Sequence, residues 1–179
     1  QNKLLNSTKG SKGWNLEFQY DVETPSSKGD CVGAETDGTH IYVSLYTSDT
    51  ILKFDMAGNF ISYIKIPGVT MLRDMAYDGQ YFYGSNASNY IWQMDFDNLQ
   101  LVSTISSPAP VRSIAYDSVN DAFWINNWSE NLQLVNRNGA TINTIASPPS
   151  LYGSAYDGRT PGGPFLWIFT GTSSSTGTC

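Results

Sequence analysis

Four aspartates, Asp37, Asp78, Asp117 and Asp157, stand 41, 39 and 40 residues apart, and three of them close an identical Ala-Tyr-Asp triplet at Ala76, Ala115 and Ala155. A fainter copy, Glu35-Thr36-Asp37-Gly38, precedes them. Downstream of each aspartate the aromatics Tyr42, Tyr83, Trp124 and Trp167 fall in register. So do Asp55, Asp95 and Asn136, then Ile64, Ile105 and Ile145, then Pro67, Pro108 and Pro148. A period near 40 filled only with short strand-like segments points to blades of four antiparallel strands, because a helical solenoid would show an apolar stripe at helical spacing. The expected fold is therefore an all-β propeller.

The copy from Val111 to Pro148 reads most clearly. VRSIAY is its first strand, a five-residue Asp-Ser-Val-Asn-Asp turn leads to AFWIN, and NLQLV and ATINTI follow on either side of Arg137-Asn138-Gly139. Asn-Gly between alternating runs signals a hairpin with positive φ at both residues. The first full copy runs from Cys31 to Pro67, the second from about Val69 to Pro108, and a fourth begins at Leu151 and passes through Phe165–Phe169. Residues 1–13 are a polar lead-in, residues 14–179 form the propeller domain, and WNLEFQYDV from Trp14 alternates like a strand. Propellers close with about 4 to 8 blades. Three copies and part of a fourth thus predict a partial propeller whose remaining blades come from the same or another chain. The competing reading uses WNLEFQYDV to complete the last blade of a four-bladed ring. Unpaired strand edges further predict that the chain is not a free, stable monomer.

Hydrophobic residues make up 40% of the 179 positions, enough for a core, and the formal net charge of −6 argues against a surface that tracks phosphates, so nucleic acid is not an expected partner. No run of about 18 apolar residues offers a membrane span. The single histidine, His40, sits in a turn without a cysteine or histidine near it, so neither a metal nor another cofactor is expected. Cys31 and Cys179 could pair only if the fold brings them together.

The segments WNLEFQYDV, RDMAYDG, AFWINNWS and GGPFLWIF together resemble a propeller domain of secreted Bacteroidetes proteins, many of which end in a type IX secretion sorting domain. The likeness spans about Trp14 to Phe169. It implies an extracellular or cell-surface location and further blades beyond the fourth, and it implies no particular enzymatic activity.

Residues that recur in every copy are best explained by the fold. The aspartates would cap turns with their own backbone, and the shared aromatics would pack between blades. Residues that differ between copies are free to recognise something. Tyr46 and Trp128 end the second strand where other copies have Ala87 and Gly171, and Asn86 and Asn127 lie beside these positions. An aromatic among amides can stack on a sugar ring while the amides bond its hydroxyls. Arg73 and Arg112 precede the innermost strands of adjacent copies, where guanidinium groups can hold a carboxylate or phosphate, or else pair with Asp74. Tyr152 replaces the arginine in the fourth copy.

The candidate ligand-binding set is therefore Arg73, Arg112, Tyr46, Asn86, Asn127 and Trp128, with no catalytic residue and no metal ligand. The function expected is a binding, adhesion or scaffold module that uses a propeller face to hold glycan, peptide or a surface protein. The alternative is a propeller lyase or hydrolase acting above the channel. Against it stand one histidine, few inward-facing acids, and no sequence signal for the carboxylate that general acid–base work with Asp74 would need.

Overall fold

The computed structural model describes residues 19–128, 130–148, 150–171 and 177–178. It is all-β apart from one helical turn, α1 (Glu23–Ser26). Three sheets of four antiparallel strands follow in chain order: β1 (Cys31–Thr36) to β4 (Phe60–Ile64), β5 (Asp74–Tyr77) to β8 (Gln100–Ser106), and β9 (Ser113–Asp117) to β12 (Thr141–Ile145). A fourth, three-stranded sheet comprises β13 (Leu151–Asp157), β14 (Phe165–Gly171) and β15 (Gly177–Thr178). Every pairing joins consecutive strands, as a propeller blade requires. The first strands of the blades lie side by side, β1 with β5, β5 with β9 and β9 with β13. The described residues do not establish a closed ring.

The alternation of apolar residues places the core between blades. Tyr42 of blade 1 meets the rings of Phe82 and Phe96 of blade 2 edge-on, at 4.9 and 5.0 Å. Tyr83 of blade 2 packs at 4.5 Å against Phe123 of blade 3. Trp124 of blade 3 is buried with Leu151 of blade 4. The equivalent Trp167 is 38% exposed, with Phe165 and Phe169 beside it on the same face of β14. The shared aromatic is thus a packing layer in three blades and a half-open surface in the fourth.

The shared aspartates hold the first hairpin of each blade. Asp78 Oδ1 accepts the N–H groups of Gln80 and Tyr81 at 2.9 and 2.8 Å, and its Oδ2 accepts the Tyr83 hydroxyl at 2.9 Å. Asp37 does the same with Thr39, His40 and Tyr42, and Asp117 with Val119, Asn120 and the Trp124 indole. Each repeated acid therefore bonds its own turn and the repeated aromatic of its own blade, which explains why the two recur together.

Two local expectations are corrected. The described end of WNLEFQYDV, Gln19–Val22, is not a strand. It runs beside blade 1, where the Tyr20 hydroxyl bonds the Met56 carbonyl and Val22 packs on the core of that blade. Its earlier residues, like the lead-in 1–13, lie outside the described residues. The Arg137-Asn138-Gly139 turn places only Gly139 at positive φ, 82°, with the ladder register shifted at Leu134/Val135. Asn136 accepts the Gly139 N–H and donates to Ala140. That pattern is a three-residue loop with a bulge glycine, which twists the strands correctly without a second residue at positive φ.

Candidate functional site

The blade-specific residues gather where β5 and β9 begin. The backbone N–H of Arg73 donates to Ser85 and that of Arg112 to Asn126, so each arginine is pinned beside the end of its blade's second strand. Trp128 follows there at φ 56°, and its carbonyl accepts the Leu151 N–H, which ties blade 3 to blade 4. These anchors set the side chains. The Arg112 guanidinium lies 3.8 Å from the centroid of the Trp128 ring and 5.6 Å from that of Tyr152. Arg73 lies 5.1 Å from the Tyr46 ring of the preceding blade.

Two arginine–aromatic stacks therefore stand side by side, their arginines shared by the second and third copies and their aromatics present in only the first and third. They border a cavity of about 400 Å³ lined by Val32, Gly33 and Ala34 of blade 1, Arg73, Asp74 and Arg112, and Tyr152, Gly153 and Phe169 of blade 4. All four innermost strands or their leading residues contribute, so the cavity is the mouth that these strands form at the end where they begin. Neither arginine forms an ion pair among the described residues. The buried Nε of Arg73 has no hydrogen-bond partner there. Burial and the neighbouring positive charge of Arg73 both hold the Arg112 guanidinium below its ordinary pKa. Two cations close enough to disfavour one another, neither paired with the Asp74 that shares their wall, make a site short of negative charge.

The other candidates separate. Tyr46 and Trp128 join the arginines as platforms, 37% and 39% exposed. Asn86 is committed within its own loop, donating to Thr70 Oγ1 at 3.2 Å and accepting from Ser88 Oγ at 2.6 Å. Asn127 accepts the Glu130 N–H with its backbone carbonyl and does not line the cavity. The Asn86 amide is thus spent, and neither asparagine lines the cavity as a sugar site there would need. Arg73 does not pair with Asp74 either, which removes that alternative reading of the arginine.

Asp74 is instead a structural tie. Its carboxylate accepts the N–H of Met75 at 3.0 Å and, across the channel wall, that of Ile114 at 3.0 Å, with a further bond from the Ser154 N–H. One side chain thereby joins the innermost strands of blades 2, 3 and 4. Complete burial outweighs these bonds and, with a smaller contribution from the charge of Glu35, pushes its pKa up to about 8.

Glu35 is the acid that sequence reasoning missed. It occupies the position of the repeated alanines Ala76, Ala115 and Ala155, a departure from the repeat that could have marked it as blade-specific. The carboxyl accepts the Thr36 N–H at 2.8 Å and a bond from the Tyr77 N–H of blade 2. Burial raises it to about 7. It lines a wider cavity of about 640 Å³ at the opposite mouth, among Asp37, Asp78, Asp157 and the tyrosines of the repeated triplets. Glu35 and Asp74 are thus two carboxyls buried along the innermost strands β1 and β5. Acids therefore line both cavities, Asp74 at the arginine mouth and Glu35 with the repeated aspartates at the other.

No protein-family model and no curated protein sequence matches this chain. Among solved structures it is similar to the glutaminyl cyclase of Myxococcus xanthus, a β-propeller, with a TM-score of 0.64 and 16% identity over 77% of this chain and 66% of that one. It is also similar to the hydrazine synthase of Kuenenia stuttgartiensis, with a TM-score of 0.58 and 13% identity over 91% of this chain and 47% of that one. At such identities the likeness shows the propeller fold alone. The chain spans just under two thirds of the first protein and about half of the second.

Proposed function

We propose that this chain is a ligand-binding module that reads an anionic partner with the arginine-bearing mouth of its propeller channel. The observation that carries the reading is the pair of stacked guanidiniums, Arg73 on Tyr46 and Arg112 on Trp128, facing one cavity and forming no ion pair among the described residues, Asp74 in the same wall included. Stacking fixes each guanidinium plane and leaves its N–H edge free to bond. Holding a ligand fits this arrangement better than turning one over. The nearest carboxyl, Asp74, is committed to three backbone N–H groups, which removes the base or acid that catalysis at this mouth would need. An extracellular or cell-surface location belongs to the same proposal and rests on the sequence resemblance alone.

Arrays of acidic and neutral glycans and peptides, probed with the wild type and with Arg112→Ala and Trp128→Ala, test the module. Binding by the wild type to an anionic probe, weakened in both variants by about 1–3 kcal/mol at unchanged thermal stability, is the expected result. If both variants unfold at lower temperature and every probe is retained, the two residues belong to the scaffold and the ligand sits elsewhere.

A further inference from the structure

The walls of the arginine mouth carry information about the rest of the ligand. Apart from the two arginines and Asp74, the cavity is bounded by Cys31, Val32, Gly33, Ala34, Gly153 and the rings of Tyr152 and Phe169. No lysine and no asparagine lines it, and the Asn86 amide bonds within its own loop. Gly153 has open space at its Cβ position, whereas Gly33 does not. A Cβ at Gly33 would come within 2.8 Å of the Asp74 Cα, so this wall is pressed against the next strand and offers backbone rather than a polar side chain.

Three classes of anion can be compared with these walls. A phosphate presents several charged oxygens in a tetrahedron and is usually met by converging backbone N–H groups or lysine as well as arginine. Here the charged donors are the edges of two guanidiniums. An acidic sugar brings a ring of hydroxyls, each of which needs a partner once buried, and the wall supplies few. A carboxylate is planar, matches the two-pronged edge of a stacked guanidinium, and leaves an apolar body to lie against Val32, Ala34, Tyr152 and Phe169.

Resting on the anion-binding reading above, we infer that the arginine mouth takes a monocarboxylate with an apolar body. Such a group is available from a free apolar acid or from the C-terminal residue of a peptide. Arg73 and Arg112 hold the carboxylate by their edges, and the apolar wall selects what is attached to it.

Titration calorimetry on the full chain tests this with N-acetyl-leucine, N-acetyl-leucinamide, N-acetyl-glycyl-glycyl-leucine, glucuronate and inorganic phosphate as probes. N-acetyl-leucine is expected to bind at least about tenfold more tightly than its amide, glucuronate or phosphate. Arg112→Lys, which keeps the charge and loses the planar edge, is expected to weaken that binding about tenfold while thermal stability stays unchanged. Tighter binding of the tripeptide than of N-acetyl-leucine assigns the peptide terminus as the source, and the reverse order assigns the free acid. Arginine-dependent binding of phosphate or glucuronate in preference to N-acetyl-leucine overturns the carboxylate inference and leaves the anion reading standing. Binding of none of the anions overturns both.

Discussion

Arg137 shows how much one side chain can do when the repeat brings acids to it. Its guanidinium meets Asp78 of blade 2 at 2.9 Å and Asp121 of its own blade at 2.6 Å, and it donates to the Tyr83 hydroxyl at 2.5 Å. The bond to Asp121 leads in raising its pKa beyond the ordinary arginine range. Asp78 is nearly enclosed, so Arg137→Met leaves a buried carboxylate with one donor fewer. A loss of about 1–3 kcal/mol in denaturant unfolding is expected. Asp78→Asn in the same background should recover part of it, because the stranded charge is then gone. In contrast to Arg73 and Arg112, this arginine is fully employed by the scaffold. The residue type alone could not tell the three apart, and what separates them is whether a turn of its own or the neighbouring blade brings an acid into pairing distance.

At the level of the element, the turns decide how closely blades can approach. Gly139, at φ 82°, sits against the carbonyl of Ser106 at the end of β8, whereas Gly38, at φ 85°, has open space around its Cβ position. Gly139→Ala therefore meets both backbone strain and a collision with the preceding blade, while Gly38→Ala meets strain alone. The first is expected to lower stability by more than the ~1–2 kcal/mol of a left-handed alanine, and the second by no more than that, as thermal melts of the two variants would show. The strands themselves were legible. AFWIN is β10 (Ala122–Asn126) residue for residue, ATINTI contains β12, and NLQLV is β11 (Leu132–Asn136) displaced by one residue, because period-2 alternation and turn chemistry are local properties. The arginine–aromatic pairs were legible only as a set of unrepeated residues. Tyr46 and Arg73 lie 27 positions apart in different blades, and no local rule joins them. Asn86 and Asn127 were drawn into that set by adjacency in sequence, yet neighbours along a strand end point to different sides of it.

The whole molecule responds to pH through two opposing groups of acids. Glu35 and Asp74 have folded pKa values raised by burial to about 7 and about 8, so the unfolded chain ionises first and stability falls as pH rises from about 4.5 through those values. Asp37, Asp78 and Asp117 are held below the usual carboxylate range: burial works against them, but the turn N–H groups and the bonded side chains prevail. Their stabilisation is present above about pH 4 and is lost as pH falls through their folded values. Maximum stability is thus expected between about pH 4 and 5, and Glu35→Gln should flatten the decline between about pH 5 and 7, measured as melting temperature against pH. A further consequence lies in the consecutive pairing of the strands. Each sheet closes contacts between segments only a few turns of chain apart, and such local closure is fast and costs little loop entropy. The Asp74 tie is different, for it reaches 40 residues ahead to Ile114 and farther still to Ser154. Blades can therefore form early and independently, and the order in which they lock around the axis is set by the moment this one carboxyl finds its distant amides.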